Sequence, residues 1–360
     1  MTRRCSKPRD SVLPSRTRAR NSSGPPTSCS RRAPKPARSA SWRSDFSRRS
    51  ERVMDTQRRA HSVCAVLNPA SGHIGDPENV RALLETELAP HVASLAVYET
   101  TGEEDIAAVT RAAVKDGATM VVAAGGDGTV AAVVNGLIGS SVPLAILPVG
   151  TGNIFARAVR LPAALKPALS VVAGPHEVIS LDAMKVGDTF FVLNVSTGIS
   201  SRSMEDTLPD NKKRFGVVAY VWTVLGHIIG LRSDRFRLTV DGRSIALNAT
   251  EILVSSGTIT EHPPFALGPR ETFADGRIEV YVVDARSTFE YVRLFFRTLF
   301  RVSKDDGRLR HYTATERVRI ESRRGKHPVQ GDGEVFGTTP VEATVIPDAV
   351  LLVVPASDGA

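Results

Sequence analysis

At 360 residues, with 42% hydrophobic side chains, the chain can bury the cores of two modest domains. Its net charge of +8 belongs to one end: residues 1–60 hold 17 of the 46 Lys and Arg but only 4 of the 38 Asp and Glu, so residues 61–360 carry 29 against 34, a balance of −5. That argues against a nucleic-acid-binding body. Cys5, Cys29 and Cys64 form no CxxC pair, which speaks against a disulfide framework or a structural zinc site and fits a reducing, cytoplasmic setting.

Residues 1–60 are rich in Arg, Ser and Pro. Such a segment cannot bury enough apolar surface to offset its ordering entropy, so it reads as a disordered basic tail. It lacks the apolar core of a secretory signal. The alternatives are an organelle transit peptide, a segment that binds anionic surfaces, or a translation start at Met54. The mass of the native N-terminus separates them.

The first predicted strand, residues 61–67 (HSVCAVL), runs into Asn68-Pro69-Ala70-Ser71-Gly72. A helix is expected over 78–88, a strand over 95–98, and a helix over 103–116 with Ile106, Val109 and Val114 near one face. Residues 119–124 are apolar, uncharged and β-favouring, which suits a buried parallel strand. They lead into Gly125-Gly126-Asp127-Gly128-Thr129 and a helix over 130–137. A further strand over 142–147 ends in Pro148-Val149-Gly150-Thr151-Gly152-Asn153. Strands and helices alternating to about residue 175 imply a parallel sheet covered on both faces. The loops at 68–72, 125–129 and 148–153 would then gather at its carboxyl edge, where open α/β folds bind ligands.

The loop at 125–129 carries the most chemistry. Three glycines in four positions let the backbone turn sharply and approach a ligand. A glycine turn between strand and helix leaves N–H groups free for phosphate. No Gly-Lys-Ser/Thr follows, so this is not the ordinary phosphate loop, and no third glycine completes a dinucleotide fingerprint. The plain alternative is a tight β–α turn with an exposed Asp.

Beyond residue 180 strand-like runs dominate, at 190–195, 236–240, 244–247, 249–254, 278–283, 318–321 and 350–353, with turns at Asp241-Gly242 and Asp275-Gly276. This predicts a second, mostly antiparallel β domain. Residues 217–231 are uncharged but too short and glycine-broken to span a bilayer comfortably. Residues 288–302 are amphipathic, with Glu290, Arg293, Arg297 and Arg301 opposite Phe289, Val292, Phe296, Leu299 and Phe300. They read as a core-packed helix or as a basic aromatic helix at a membrane surface.

Four stretches coincide in order: Asn68-Pro69-x-Ser71-Gly72; Gly125-Gly126-Asp127-Gly128-Thr129 with Asn135-Gly136; Pro148-x-Gly150-Thr151-Gly152-Asn153-x-Phe155-Ala156-Arg157; and Asp332-Gly333-Glu334. Over residues 61–356 the chain resembles the diacylglycerol kinase catalytic family, which includes sphingosine and ceramide kinases and bacterial lipid kinases. The resemblance implies an α/β, Rossmann-like (phosphofructokinase/NAD kinase-like) parallel-sheet domain at 61–178 and an antiparallel β-sandwich lipid-binding domain at 179–356. It implies ATP between them and transfer of its γ-phosphate to a lipid hydroxyl, with Mg2+. A lipid substrate, peripheral contact with a membrane surface and no specific nucleic acid follow as partners; a homodimer stays open.

Phosphoryl transfer needs alignment and charge neutralisation more than covalent chemistry. Gly125, Gly126, Gly128 and Thr129 would offer backbone N–H groups to the phosphates. Asn68, Ser71, Thr151, Gly152 and Asn153 would surround the nucleotide without adding charge. Asp127 would order magnesium rather than touch phosphate. Asp332 is the candidate general base, and Glu334, two residues on, would share its face if the stretch is extended and hold magnesium or tune Asp332. Asp275 resembles the family's structural magnesium position, Asp182 an Asp of the same polar network, and Lys212, Lys213 and Arg214 a phosphate-facing basic stretch. Relatives often carry Asp at the position of Ile154 and Lys near that of His73. A NAD kinase-like enzyme, which shares Gly-Gly-Asp-Gly-Thr, and a non-catalytic lipid- or nucleotide-binding module are the competing functions.

Overall fold

The computed structural model describes residues 61–71, 77–206, 233–256, 274–285, 287, 289–290 and 308–356. The tail at 1–60, Gly72, His73, Lys212 to Arg214, the run at 217–231 and all but two residues of the amphipathic helix at 288–302 lie outside them.

The first half alternates strands and helices as the pattern predicts. They are β1 (Ser62–Leu67), α1 (Pro77–Leu83), β2 (Ser94–Glu99), α2 (Ile106–Lys115), β3 (Met120–Gly125), α3 (Asp127–Leu137), β4 (Leu144–Pro148), α4 (Ile154–Ala158) and α5 (Leu165–Ala173). Helix α2 starts later than expected because Asp105 caps it, accepting the Ala108 N–H at 3.1 Å. Helix α1 gives way to a π-helical turn over Leu84–Leu88 that sends both terminal leucines into the core.

Strands β2, β1, β3 and β4 lie side by side and parallel. Every residue of β3 is buried, and alternate side chains serve two cores. Val121 and Ala123 meet Val130, Val133, Val134 and Leu137 of α3; Val122 and Ala124 meet Leu84, Leu88, Leu169 and Val172 on the other face. Burial on both faces is why the strand reads as a continuous apolar run. After β1 the chain goes first to β2 and then crosses to β3 on the opposite side of β1. The loops following β1 and β3 therefore sit at the point where strand order reverses.

The second half supplies β5 (His176–Val186), β6 (Thr189–Phe191), β7 (Asn194–Gly198), α6 (Ile199–Asp206), β8 (Asp234–Val240), β9 (Arg243–Ala249), β10 (Glu251–Ser255), β11 (Ile278–Val283), β12 (Leu309–Ala314), β13 (Arg317–Ser322), β14 (Pro328–Gly331), β15 (Glu334–Thr338) and β16 (Val341–Pro355). One antiparallel sheet runs β12-β11-β10-β7-β14-β15. It packs against β16, β13, β8 and β9 through Ile252, Val254, Val280 and Val282 on one side and Phe236, Leu238, Val318 and Ile320 on the other. That is the expected antiparallel β domain.

The two halves share a sheet. Strand β16 pairs with β13 over its first part. It pairs with β5 on both sides of an irregularity between Ile346 and Val350, and Leu352 pairs in parallel with Leu144 of β4. The boundary expected between residues 178 and 179 falls inside β5. That strand escapes a periodicity search because His176, Glu177 and Asp182 interrupt its apolar pattern although all three are buried. The single strand expected at 190–195 is two, β6 and β7, and the break between them belongs to the site described next.

Candidate active site

The three loops at the carboxyl edge fold onto one another through their backbones. Helix α3 begins at Asp127, not at residue 130, so Asp127, Gly128 and Thr129 form its first turn and Gly126 its N-cap. A helix start leaves such N–H groups without intrahelical partners and positive, a ready cradle for phosphate oxygens. Gly125 must lack a Cβ because one there would come within 2.4 Å of the Thr129 side chain. Thr129 is buried, and its hydroxyl accepts from Asn68 Nδ2 at 3.0 Å. Asn68 also closes its own turn by accepting the Ala70 N–H. Ser71 Oγ accepts the Gly126 N–H at 3.2 Å.

The third loop locks onto the second at its glycines. A Cβ on Gly150 would lie 2.5 Å from the Gly126 Cα, so the two backbones touch. Asn153 shapes this loop with φ +47, accepting from the Gly150 N–H at 2.9 Å and donating to the carbonyls of Pro148 and Gly150. Its role is to hold the loop. Thr151 lies exposed on the lip, and Gly152 passes beside Asp127. Asp127 Oδ1 accepts the Phe155 N–H at 3.0 Å and so caps α4, leaving Oδ2 toward Gly152. Exposed Ile154 stands where a carboxylate was expected from the resemblance.

The motif pair Asn135-Gly136 is structural. Gly136 lets α2 approach α3, since a Cβ would strike Thr110 at 2.4 Å. The Asn135 side chain pairs with both backbone groups of Phe190, tying α3 to β6.

Asp332 and Gly333 form the two-residue turn between β14 and β15, with φ +46 and +91, as a type I′ hairpin requires. The stretch is therefore not extended, and Asp332 and Glu334 do not share one face as expected. Asp332 turns inward: Oδ1 accepts the N–H groups of Leu193 and Asn194, and Oδ2 that of Val192, all near 3.0 Å. Val192 and Leu193 fall in the break between β6 and β7, and Asn194 is the first residue of β7. Glu334 stands exposed against the glycine loop, its Oε1 3.4 Å from where a Cβ on Gly128 would be. Burial pushes the Asp332 carboxyl up to about 6; the three amides pull it down, and the nearby charge of Asp127 adds to the rise.

Asp275 is not brought to this crest. It belongs to a second cluster in which Asp182 gathers the chain, its carboxylate accepting the N–H groups of Asp275, Gly276 and Asp348 at 2.7–3.1 Å. Asp275 itself caps the Arg277 N–H. Burial raises the pKa of both, helped by Asp348 beside Asp182 and by Asp182 beside Asp275. The buried Asp182 side chain, expected in this polar network, gathers the loop that carries Asp275. Among the described residues no three His, Cys, Asp or Glu side chains assemble into a cage able to hold a metal alone. Magnesium in phosphoryl transfer needs only one or two carboxylates plus phosphates and water; Asp127 Oδ2 lies beside Gly152 and Glu334 Oε1 beside Gly128, both at the glycine loops.

Sequence reasoning missed the groups that hold the Asp332 turn: the amides of residues 192–194, and the side chains of Asn194 and Gln330. Nothing local in the sequence marks the amides or Asn194, because their partners are about 140 residues away.

Residues 62–186 match the diacylglycerol kinase catalytic domain, and residues 193–354 match the YegS C-terminal NAD kinase beta sandwich-like domain. A diacylglycerol kinase from Bacillus subtilis is 28% identical over 285 residues, covering 77% of this chain and 91% of the relative. One from Mycobacterium tuberculosis is 27% identical over 300 residues, covering 81% and 95%. A crystal structure of a diacylglycerol kinase from Bacillus anthracis superposes with a TM-score of 0.64 at 19% identity, covering 82% of this chain and 98% of that one, a likeness of fold.

Proposed function

We propose that this chain, which belongs to the diacylglycerol kinase catalytic domain family, transfers the γ-phosphate of ATP to the hydroxyl of a membrane lipid, with diacylglycerol the leading acceptor. The observation that carries this reading is the approach of the Asp332-Gly333-Glu334 turn to the glycine crest: Glu334 lies against Gly128, and Asp332 feels the charge of Asp127.

The nucleotide's phosphates would take the N–H groups that open α3. Asp127 and Glu334 would hold magnesium between them, and that ion supplies charge neutralisation for the departing diphosphate. An acceptor hydroxyl must release its proton as phosphorus is attacked. Asp332 Oδ2 carries one amide hydrogen bond and keeps a second acceptor direction for that proton. A raised pKa near 6 suits a base that must give the proton up again near neutrality. In this reading the enzyme works at the bilayer surface, on its cytoplasmic side; no described helix is long and apolar enough to cross a membrane.

The test is to incubate the purified protein with labelled ATP, magnesium and a total lipid extract, then identify the labelled product. A phosphorylated lipid supports the proposal and names the acceptor. Label in NAD and in no lipid would replace it with a NAD kinase activity. Asp127→Ala should abolish magnesium-dependent nucleotide binding, and an unchanged titration would remove Asp127 from that role.

A further inference from the structure

The Asp332 turn is held from behind by a network of hydrogen bonds that runs from Gly333 to Glu251. It starts at Gly333, whose N–H donates to Gln330 Oε1 at 3.1 Å. A backbone N–H must face an oxygen, so the amide nitrogen of Gln330 points the other way. It donates to Asn194 Oδ1 at 3.0 Å and to Ser196 Oγ at 2.7 Å. Ser196 Oγ, which accepts from Gln330, lies 2.7 Å from Ser200 Oγ, and the Ser196 side chain also reaches Glu251. The Ser200 hydroxyl in turn donates to Glu251 Oε1, while the Ser200 N–H donates to Oε2 at 3.0 Å. Glu251 ends the chain as a pure acceptor, which an ionised carboxylate is.

Two features show that the arrangement is built into the fold. Gly198, with φ +138, leaves the space Glu251 occupies; a Cβ there would lie 2.7 Å from Glu251 Oε2 and 2.3 Å from the Thr250 carbonyl. Asn194 closes a ring, because its side chain receives Gln330 while its backbone N–H holds Asp332 Oδ1 at 2.9 Å. Ser196 and Gln330 are buried, so a missing partner cannot be replaced cheaply by solvent.

We propose that Gln330, backed by Ser196, Ser200 and Glu251, is a positioning residue that orients the Asp332-Gly333 turn for phosphoryl transfer. This rests on the kinase reading above. Gln330 acts through the turn and touches neither nucleotide nor acceptor. Removing a link lets the hydroxyls reorient, weakens the hold of Gln330 on the Gly333 N–H and loosens the carboxylate against the glycine crest.

The experiment compares the full-length wild type with Gln330→Ala, Ser200→Ala and Ser200→Thr. It reads amide hydrogen exchange across residues 328–338 without nucleotide, and then kcat and ATP KM with the lipid identified above. Gln330→Ala and Ser200→Ala should speed exchange at Gly333 about tenfold or more relative to β10 and β11. They should lower kcat about 10- to 100-fold, the scale of a small misplacement of a reacting group, with ATP KM within about twofold. Ser200→Thr, which keeps the hydroxyl, should restore both readouts. Should Ser200→Ala not fold, Gln330→Glu removes the donor while keeping the size and should act in the same direction. Unchanged exchange at Gly333, or faster exchange spread evenly over β10, β11 and the hairpin with kcat per folded molecule intact, overturns the proposal. Because exchange needs no substrate, a wild type inactive on every lipid would sink the kinase reading while leaving this result readable.

Discussion

The glycine crest and the Asp332 turn face each other but are secured in opposite ways. The crest holds itself: Asn153 closes its loop within five residues, Gly126 rests on Gly150, and Thr129 covers Gly125. The turn is held by others: its carboxylate is gripped by the amides of residues 192–194, and its backbone by a chain that ends at Glu251. The crest is rigid by exclusion, since no side chain fits where its glycines touch. The turn is held by polar groups that must all be paired, so it is the more easily disturbed.

Damage to the turn should therefore strike turnover first. Asp332→Asn should lower kcat by about 10²-fold or more through loss of the base. It should also cost about 1–3 kcal/mol in stability, because an amide NH2 would face a backbone N–H donor. Steady-state kinetics together with denaturant unfolding separate the two effects, and equal turnover in the variant would remove Asp332 as base.

Damage to the crest should strike nucleotide binding first. Gly150→Ala puts a Cβ 2.5 Å from the Gly126 Cα and 2.8 Å from Asn153 Oδ1, against a backbone atom that cannot swing aside. Overpacking of this kind costs about 1–3 kcal/mol, and calorimetric ATP affinity should fall about tenfold or more. Gly333→Ala, in the turn, meets nothing within 4 Å and suffers only the strain of its φ of +91. It should cost about 1–2 kcal/mol and leave ATP affinity unchanged. Equal losses of affinity in the two variants would erase the contrast.

The smallest expected effect is one of pH. Burial pushes the Glu251 carboxyl up to about 7 against the hydrogen bonds of Ser200, Ser196 and the Ile199 amide. A folded-state value above the unfolded one means that folding favours the protonated form. That stabilisation is complete below about 4.5 and is lost as pH rises through about 7. The relay needs the ionised form, so kcat should climb toward a plateau above about pH 7 while this part of the stability declines. Thermal melts of the wild type against Glu251→Gln from pH 4.5 to 8 check the sign: the wild type should lose ground as pH rises.

The amino-acid sequence by itself determined the parallel-sheet domain and the crest. Both are written in short range: apolar runs such as residues 119–124 mark strands buried on both faces, and glycines beside Asp127 and Asn153 mark where backbone must touch backbone. It also marked Asp332 and Glu334, but not how they stand, since an Asp-Gly pair reads alike whether its carboxylate faces solvent or three amides. Only the tertiary structure decided that β16 stitches both halves into one sheet, which amides the Asp182 carboxylate gathers, and that Glu251 lies behind the turn. Each of these depends on hydrogen bonds between strands far apart in the chain. A buried polar residue there is indistinguishable in sequence from an exposed one until the fold supplies its partner.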